Sequence, residues 1–162
     1  MVMIAMLKRF TEAHNSMAQG QWKMSELLLM GCFELWQKTV GIVGLGRIGK
    51  ALAQRLVGFE VNTLYHDILD FPPELEKKLN VKKVPFEELL AESDIVSLHV
   101  PLTPLTRNMM STKQFEMMKS TAFFINSARG EVVDEAALVE ALNRGTIAGA
   151  AIDAFKQKVG IR

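Results

Sequence analysis

Three glycines carry the first chemical signal. In the run T-V-G-I-V-G-L-G-R-I-G-K, Gly44, Gly46 and Gly49 fall in the G-x-G-x-x-G spacing. A β-branched run ends at Val43 and a helical pattern opens near Arg47, the strand–turn–helix context that makes this hexapeptide informative. In that context Gly44 permits a tight turn, Gly46 lets backbone approach a pyrophosphate, and Gly49 lets helix and strand pack closely. The helix start then presents free N–H groups and the positive end of its dipole to phosphate. Taken alone, the loop also suits another phosphate ligand or a plain turn. Asp67 lies 18 residues beyond Gly49, closing the next extended run, V-N-T-L-Y-H-D. A carboxylate there accepts hydrogen bonds from ribose hydroxyls and repels a 2′-phosphate. Ile68 follows and no Lys or Arg comes before Lys77, so the pattern favours NAD over NADP. Without the glycine loop, Asp67 would simply begin a turn.

The elements that must hold these residues alternate in type. Extended runs are expected at Thr39–Val43, Val61–His66, Ile95–Val100, Thr121–Ile125 and Ile147–Ile152. Their near-continuous apolar character suits strands buried on both faces of a parallel sheet. Between them, Ile48, Leu52 and Leu56 form one helical stripe, and Leu138, Ala141 and Leu142 another behind an Asp134 cap. Pro85 opens a helix over Phe86–Ala91, and Ser111 or Thr112 caps one running to Met118. Strands alternating with helices predict an α/β doubly wound parallel sheet. Ahead of it, Met3, Met6, Leu7, Phe10 and Met17 recur at helical spacing, predicting one amphipathic helix over residues 2–18.

Composition narrows the class. The 162 residues are 49% hydrophobic and 23% charged, which excludes a disordered chain, a collagen repeat and a disulfide scaffold. A formal charge of +1 gives no bulk attraction to nucleic acid or an anionic membrane. The single cysteine, Cys32, fits a reducing cytoplasm, and Lys8 and Arg9 follow the apolar start where an export signal would have them precede it. No metal-ligand spacing stands out.

Three further runs are specific: S-D-I-V-S-L-H-V-P-L-T (Ser93–Thr103), I-N-S-A-R-G-E-V-V-D-E-A-A-L (Ile125–Leu138) and G-A-A-I-D-A-F (Gly149–Phe155). With the glycine loop, in this order, they closely resemble the NAD-dependent D-isomer-specific 2-hydroxyacid dehydrogenases. Gln19–Trp22 and Phe33–Leu35 also look like that family's approach to its glycine loop. The resemblance implies a Rossmann-type domain over 37–155, led by a helical segment over 1–36 of the interdomain, dimer-forming kind. It implies that Arg47 and Ile48 offer backbone N–H groups to the pyrophosphate and that Asp67 holds the ribose. Val100, Pro101 and Thr106 would line the nucleotide groove, and Ser127, Ala128 and Arg129 would lie beside the nicotinamide with Asp153 on its carboxamide. Arg129 would also grip the carboxylate of a 2-oxo acid and polarise its carbonyl, a role that a loop arginine taken by itself would not suggest. A homodimer is the expected assembly.

The chain also departs from the family pattern. Hydride transfer to a carbonyl needs a proton donor, in this family a histidine supported by a glutamate. The histidines here, His14, His66 and His99, all precede Arg129, and the position corresponding to the glutamate is Lys158. His99 tempts as a base but falls short of the family's proline–histidine motif. Lys156 likewise replaces an acidic residue, so 156–162 reads as a divergent tail, and the chain as a nucleotide domain without the segments that would complete a substrate domain. Two functions are therefore expected to compete: the NAD(H) module of an oxidoreductase, or an inactive NAD(H)-binding or dimerisation module. Either way, calorimetric titration should show tighter binding of NADH than of NADPH. Equal affinities would show that Asp67 does not read the ribose.

Overall fold

Residues 1–156 are described in a computed structural model; Lys158 and the rest of the tail over 157–162 lie outside them. Six strands build the sheet: β1 (Thr39–Val43), β2 (Asn62–His66), β3 (Val81–Lys83), β4 (Ile95–Leu98), β5 (Phe123–Asn126) and β6 (Gly149–Ile152). Their order is β3-β2-β1-β4-β5-β6, and every pairing is parallel. Helices α1 (Val2–Leu7), α2 (Phe10–Ala18) and α3 (Met24–Leu29) precede the sheet. The crossovers carry α4 (Arg47–Leu56), α5 (Pro73–Leu79), α6 (Phe86–Glu92), α7 (Thr112–Met117) and α8 (Glu135–Asn143). The chain runs outward from β1 to β3, then returns to lay β4 on the other side of β1. Loops leaving β1 and β4 therefore diverge, and a crevice opens above their carboxyl ends.

Successive strand residues point to opposite faces, which gives the sheet two cores. Ile42, Ile95 and Ile125 pack with Ala53 and Leu56 of α4 and with Met3 and Leu7 of α1. Val96, Leu98 and Phe124 pack on the other face with Leu89, Phe115 and Leu138 of α6, α7 and α8. The doubly wound sheet expected from the sequence is thus the one formed.

Several details differ from the sequence expectation. The helix expected over 2–18 breaks at Lys8–Arg9, where Arg9 is left-handed at φ 48°. The break lets Lys8 pair with Glu34 and the Arg9 guanidinium donate to the Met30 and Gly31 carbonyls. Met3 and Leu7 are buried, but Phe10 and Met17 beyond the break are exposed. On α4 the buried residues are Gly49, Ala53 and Leu56, while Ile48 is turned outward at the mouth of the crevice. Strand β3 and helices α3 and α5 were not anticipated: β3 has three residues, two of them lysines, too few to show a period. The ends of β2, β4, β5 and β6 shift by one or two residues, because hydrogen-bond register and not hydrophobicity terminates a strand.

Asp94 fastens the amino ends of the three central strands. Its backbone N–H donates to Thr39 O at 2.8 Å and its carbonyl accepts from Phe123 N–H at 2.9 Å. Its carboxylate accepts the Thr39 N–H at 2.9 Å and the Lys119 ammonium at 3.0 Å. Burial works to raise its pKa, but those two bonds outweigh it and hold the carboxyl below the ordinary aspartate range. A group depressed in the folded state stabilises above its unfolded pKa, and that contribution disappears as pH falls through the folded value. Asp94→Asn should therefore lower denaturant stability at neutral pH, and the gap from wild type should shrink below about pH 4. A gap independent of pH would assign its role to shape and not charge.

Candidate functional site

The crevice begins at the glycine loop. Gly44 adopts φ +94°, and a Cβ there would lie 2.8 Å from the His99 carbonyl oxygen. Gly49 sits so close to β1 that its Cβ would overlap the Gly44 carbonyl oxygen. Gly46, between them, has no atom within 4 Å of where its Cβ would be. One glycine thus makes the turn and another the close packing, while the third leaves a cradle that no protein atom fills.

The start of α4 is open in the same way. Gly46 is its N-cap and supplies no side-chain cap, and its first turn carries no acidic residue. By contrast, Asp134 caps α8 through the Ala136 and Ala137 N–H groups, and Gln114 of α7 accepts from the Ser111 N–H and hydroxyl. An uncapped start of a ten-residue helix leaves donors and a positive dipole end facing outward, which suits an anion.

Arg47 and Ile48 form one wall of a cleft of about 520 Å³, with His99, Val100, Pro101 and Leu102 after β4 and Ser127, Ala128 and Arg129 after β5. Seven of these nine were expected on sequence grounds; His99 and Leu102 were not. No carboxylate lines the cleft, and among the described residues neither Arg47 nor Arg129 forms an ion pair. Two unpaired guanidinium groups and a helix start give it a positive potential.

Other expected residues stand beside the cleft and not in its wall. Asp67 accepts the Leu45 N–H at 2.7 Å and the Leu69 N–H at 2.9 Å. A carboxylate has about four acceptor positions, so two backbone bonds leave room for a ribose diol. Asp67 also braces the glycine loop, which the sequence alone did not suggest. Thr106 bonds the Pro101 carbonyl at 2.6 Å and receives the Thr103 N–H at 2.8 Å, so it shapes the loop carrying Val100–Leu102. Asp153 is exposed, with its backbone N–H on the Asn126 carbonyl at 2.9 Å.

Asn126 was missed. It is 1% exposed, accepts the Ala128 N–H at 3.0 Å and donates to the Arg129 carbonyl at 3.0 Å. These bonds fold the 127–129 turn and place Arg129 at the mouth of the cleft, where its Nη1 rests on the Ala128 carbonyl at 2.7 Å. The signal was legible as an asparagine two residues before an N–H it can cap, in N-S-A-R-G. His99 is half-buried, and desolvation lowers its pKa, so the ring is neutral near pH 7. His14 stacks on Phe10 and His66 bonds the Val84 carbonyl, both outside the cleft wall. Among the described residues no cluster of three His, Cys, Asp or Glu side chains could hold a metal, and no helix is long and apolar enough to cross a membrane.

Comparison with known proteins agrees with this geometry. Residues 1–159 match the family model for the D-isomer specific 2-hydroxyacid dehydrogenase, NAD binding domain. The chain is 44% identical to glyoxylate reductases of Korarchaeum cryptofilum and Thermococcus litoralis, over 97% of its own length and 47% and 48% of theirs. It thus spans about half the length of those curated relatives. Among solved structures, a Granulicella formate dehydrogenase superposes with a TM-score of 0.92 at 29% identity, over 96% of this chain and 42% of that one. The Aquifex aeolicus D-lactate dehydrogenase complexed with NAD and lactic acid superposes with a TM-score of 0.88 at 33% identity, over 96% and 45%. The chain belongs to the D-isomer specific 2-hydroxyacid dehydrogenase family and is its NAD-binding domain. The open Gly46 cradle and the uncapped α4 fit that cofactor's pyrophosphate.

Asp67→Ala should weaken NADH binding by about 1–3 kcal/mol in a calorimetric titration, through one or two lost hydrogen bonds. Unchanged affinity would place the ribose elsewhere.

Proposed function

We propose that this chain is the cofactor half of an oxidoreductase that interconverts a 2-oxo acid and NADH with a D-2-hydroxy acid and NAD. The observation that carries the reading is the unpaired Arg129 guanidinium, held by the Asn126 turn at the end of a cleft that starts at the α4 dinucleotide cradle. Bound NADH would supply the hydride. Arg47 and Ile48 would hold the pyrophosphate through backbone N–H groups, and Asp67 the ribose. Val100 and Pro101 would exclude water along the groove, and Thr106 would keep their loop in place. Ser127 and Ala128 would flank the nicotinamide, and Asp153 would receive its carboxamide. Arg129 would bind the substrate carboxylate in a planar fork and stabilise negative charge growing on the carbonyl oxygen.

The proton for that oxygen needs a separate donor. Among the described residues no histidine in the cleft is backed by a carboxylate: His99 rests on Ser97 Oγ at 2.9 Å. Arg129 does not serve, since guanidinium keeps its protons. The 162-residue chain should therefore oxidise NADH with glyoxylate, hydroxypyruvate or pyruvate at a small fraction of a complete homologue's rate. Family-level rates in that assay would overturn the assignment of a missing acid. Arg129→Ala should abolish whatever rate remains while leaving NADH affinity within about twofold, because the lost contact is to substrate.

A second reading, an inactive NAD(H)-binding and dimerisation module, draws support from the lead-in over 1–36. There Phe10, Trp22, Leu28 and Leu29 are 61%, 75%, 57% and 90% exposed, more apolar surface than a solvated face needs. A homodimer burying these residues would run as twice the chain mass on gel filtration with light scattering. A clean monomer at micromolar concentration would count against it.

A further inference from the structure

His99 lines the cleft but has no task in the cofactor reading above. Ser97, on β4, is 2% exposed, and its hydroxyl lies 2.9 Å from His99 Nε2, its sole side-chain partner among the described residues. A buried hydroxyl with no other acceptor donates to that nitrogen, so Nε2 is the unprotonated acceptor and the ring proton sits on Nδ1. Burial keeps the ring neutral, and the charged groups lining the same cleft, Arg47 and Arg129, also oppose a further positive charge. Nδ1 has no hydrogen-bond partner among the described residues, yet no buried side-chain nitrogen or oxygen there is left without one. Nδ1–H is therefore open to the cleft. The backbone fixes its position: the His99 N–H donates to Val43 O at 2.8 Å, and its carbonyl abuts Gly44. A ligand stretching from the start of α4 to Arg129 passes this ring.

We infer that His99 is a further cofactor-binding residue, whose Nδ1–H donates a hydrogen bond to a phosphoryl or ribose oxygen of the bound dinucleotide. This rests on the dinucleotide reading and adds to it a donor with a defined tautomer. A neutral donor holds an oxygen without competing with Arg129 for the carboxylate of a substrate.

Two substitutions separate this role from a structural one. The side-chain amide of asparagine stands at the distance of Nδ1, and that of glutamine reaches as far as Nε2. His99→Gln keeps a partner for Ser97 but removes the cleft donor, and should weaken NADH binding about five- to tenfold in calorimetric titration. His99→Asn loses Ser97 but keeps a donor at the Nδ1 position, and should restore most of that affinity. A structural role gives the reverse order, with His99→Gln near wild type and His99→Asn impaired, and that order would overturn the assignment. Imidazole nitrogen-15 spectra of the unsubstituted chain supply a second readout that needs no variant to fold. They should show the Nδ1–H tautomer without cofactor and a shift of Nδ1 when NADH is added; the Nε2–H tautomer would also overturn it. A wild-type chain that takes up no NADH would sink the cofactor reading itself, whereas the variant order tests His99 alone.

Discussion

Helix α4 lies against β1 so closely that a side chain on Gly49 would occupy the place of the Gly44 carbonyl oxygen. That contact is possible because the loop has turned through Gly44 at positive φ and Ala53, one turn further along α4, is also small. It fixes the direction in which the helix leaves the sheet, and with it the direction of the first-turn N–H groups. Those donors face the crevice where β1 and β4 part, and Gly46 leaves the space in front of them open. A larger residue at any of the three positions would close the turn, push the helix away or fill the cradle.

Around that point the cleft is built by exclusion of negative charge. The nearest carboxylate of consequence, Asp67, is tied to the Leu45 and Leu69 N–H groups, so its charge is held beside the loop and not in front of the helix start. Arg47 and Arg129 face the cleft from opposite walls without counter-ions among the described residues. Each wall has a polar brace: Thr106 under the Val100–Leu102 loop, Asn126 under the Ser127–Arg129 turn, and Ser97 under His99. A buried side-chain hydrogen bond holds a turn more tightly than an exposed loop holds itself, so the residues that would touch ligand rest on residues that would not.

The lead-in follows a different logic. Met3 and Leu7 complete the core beneath α4, but beyond the Arg9 reversal the apolar side chains turn outward. The periodicity of residues 2–18 is real, yet the break at Arg9 takes Phe10 and Met17 off the face that α1 buries. A period records which residues share a face of a straight helix; it does not record where a cation will bend that helix to reach carbonyls at Met30 and Gly31.

The sequence by itself determined the alternation of elements, the glycine loop, Asp67, the N-S-A-R-G turn and hence the family. These are local patterns, in which residue type and spacing dictate backbone geometry or chemistry directly. Only the tertiary structure decided which of the expected residues share a cleft. It placed Ile48 on the rim instead of in the core, set Thr106 and Asp153 outside the wall, and brought His99 inside it. It also gave β3 its place, as three residues that become a strand because β2 offers a parallel edge. Those outcomes depend on strand register, on the crossing of β1 and β4, and on buried polar partners distant from the loops they hold. No window of sequence contains both ends of such a contact.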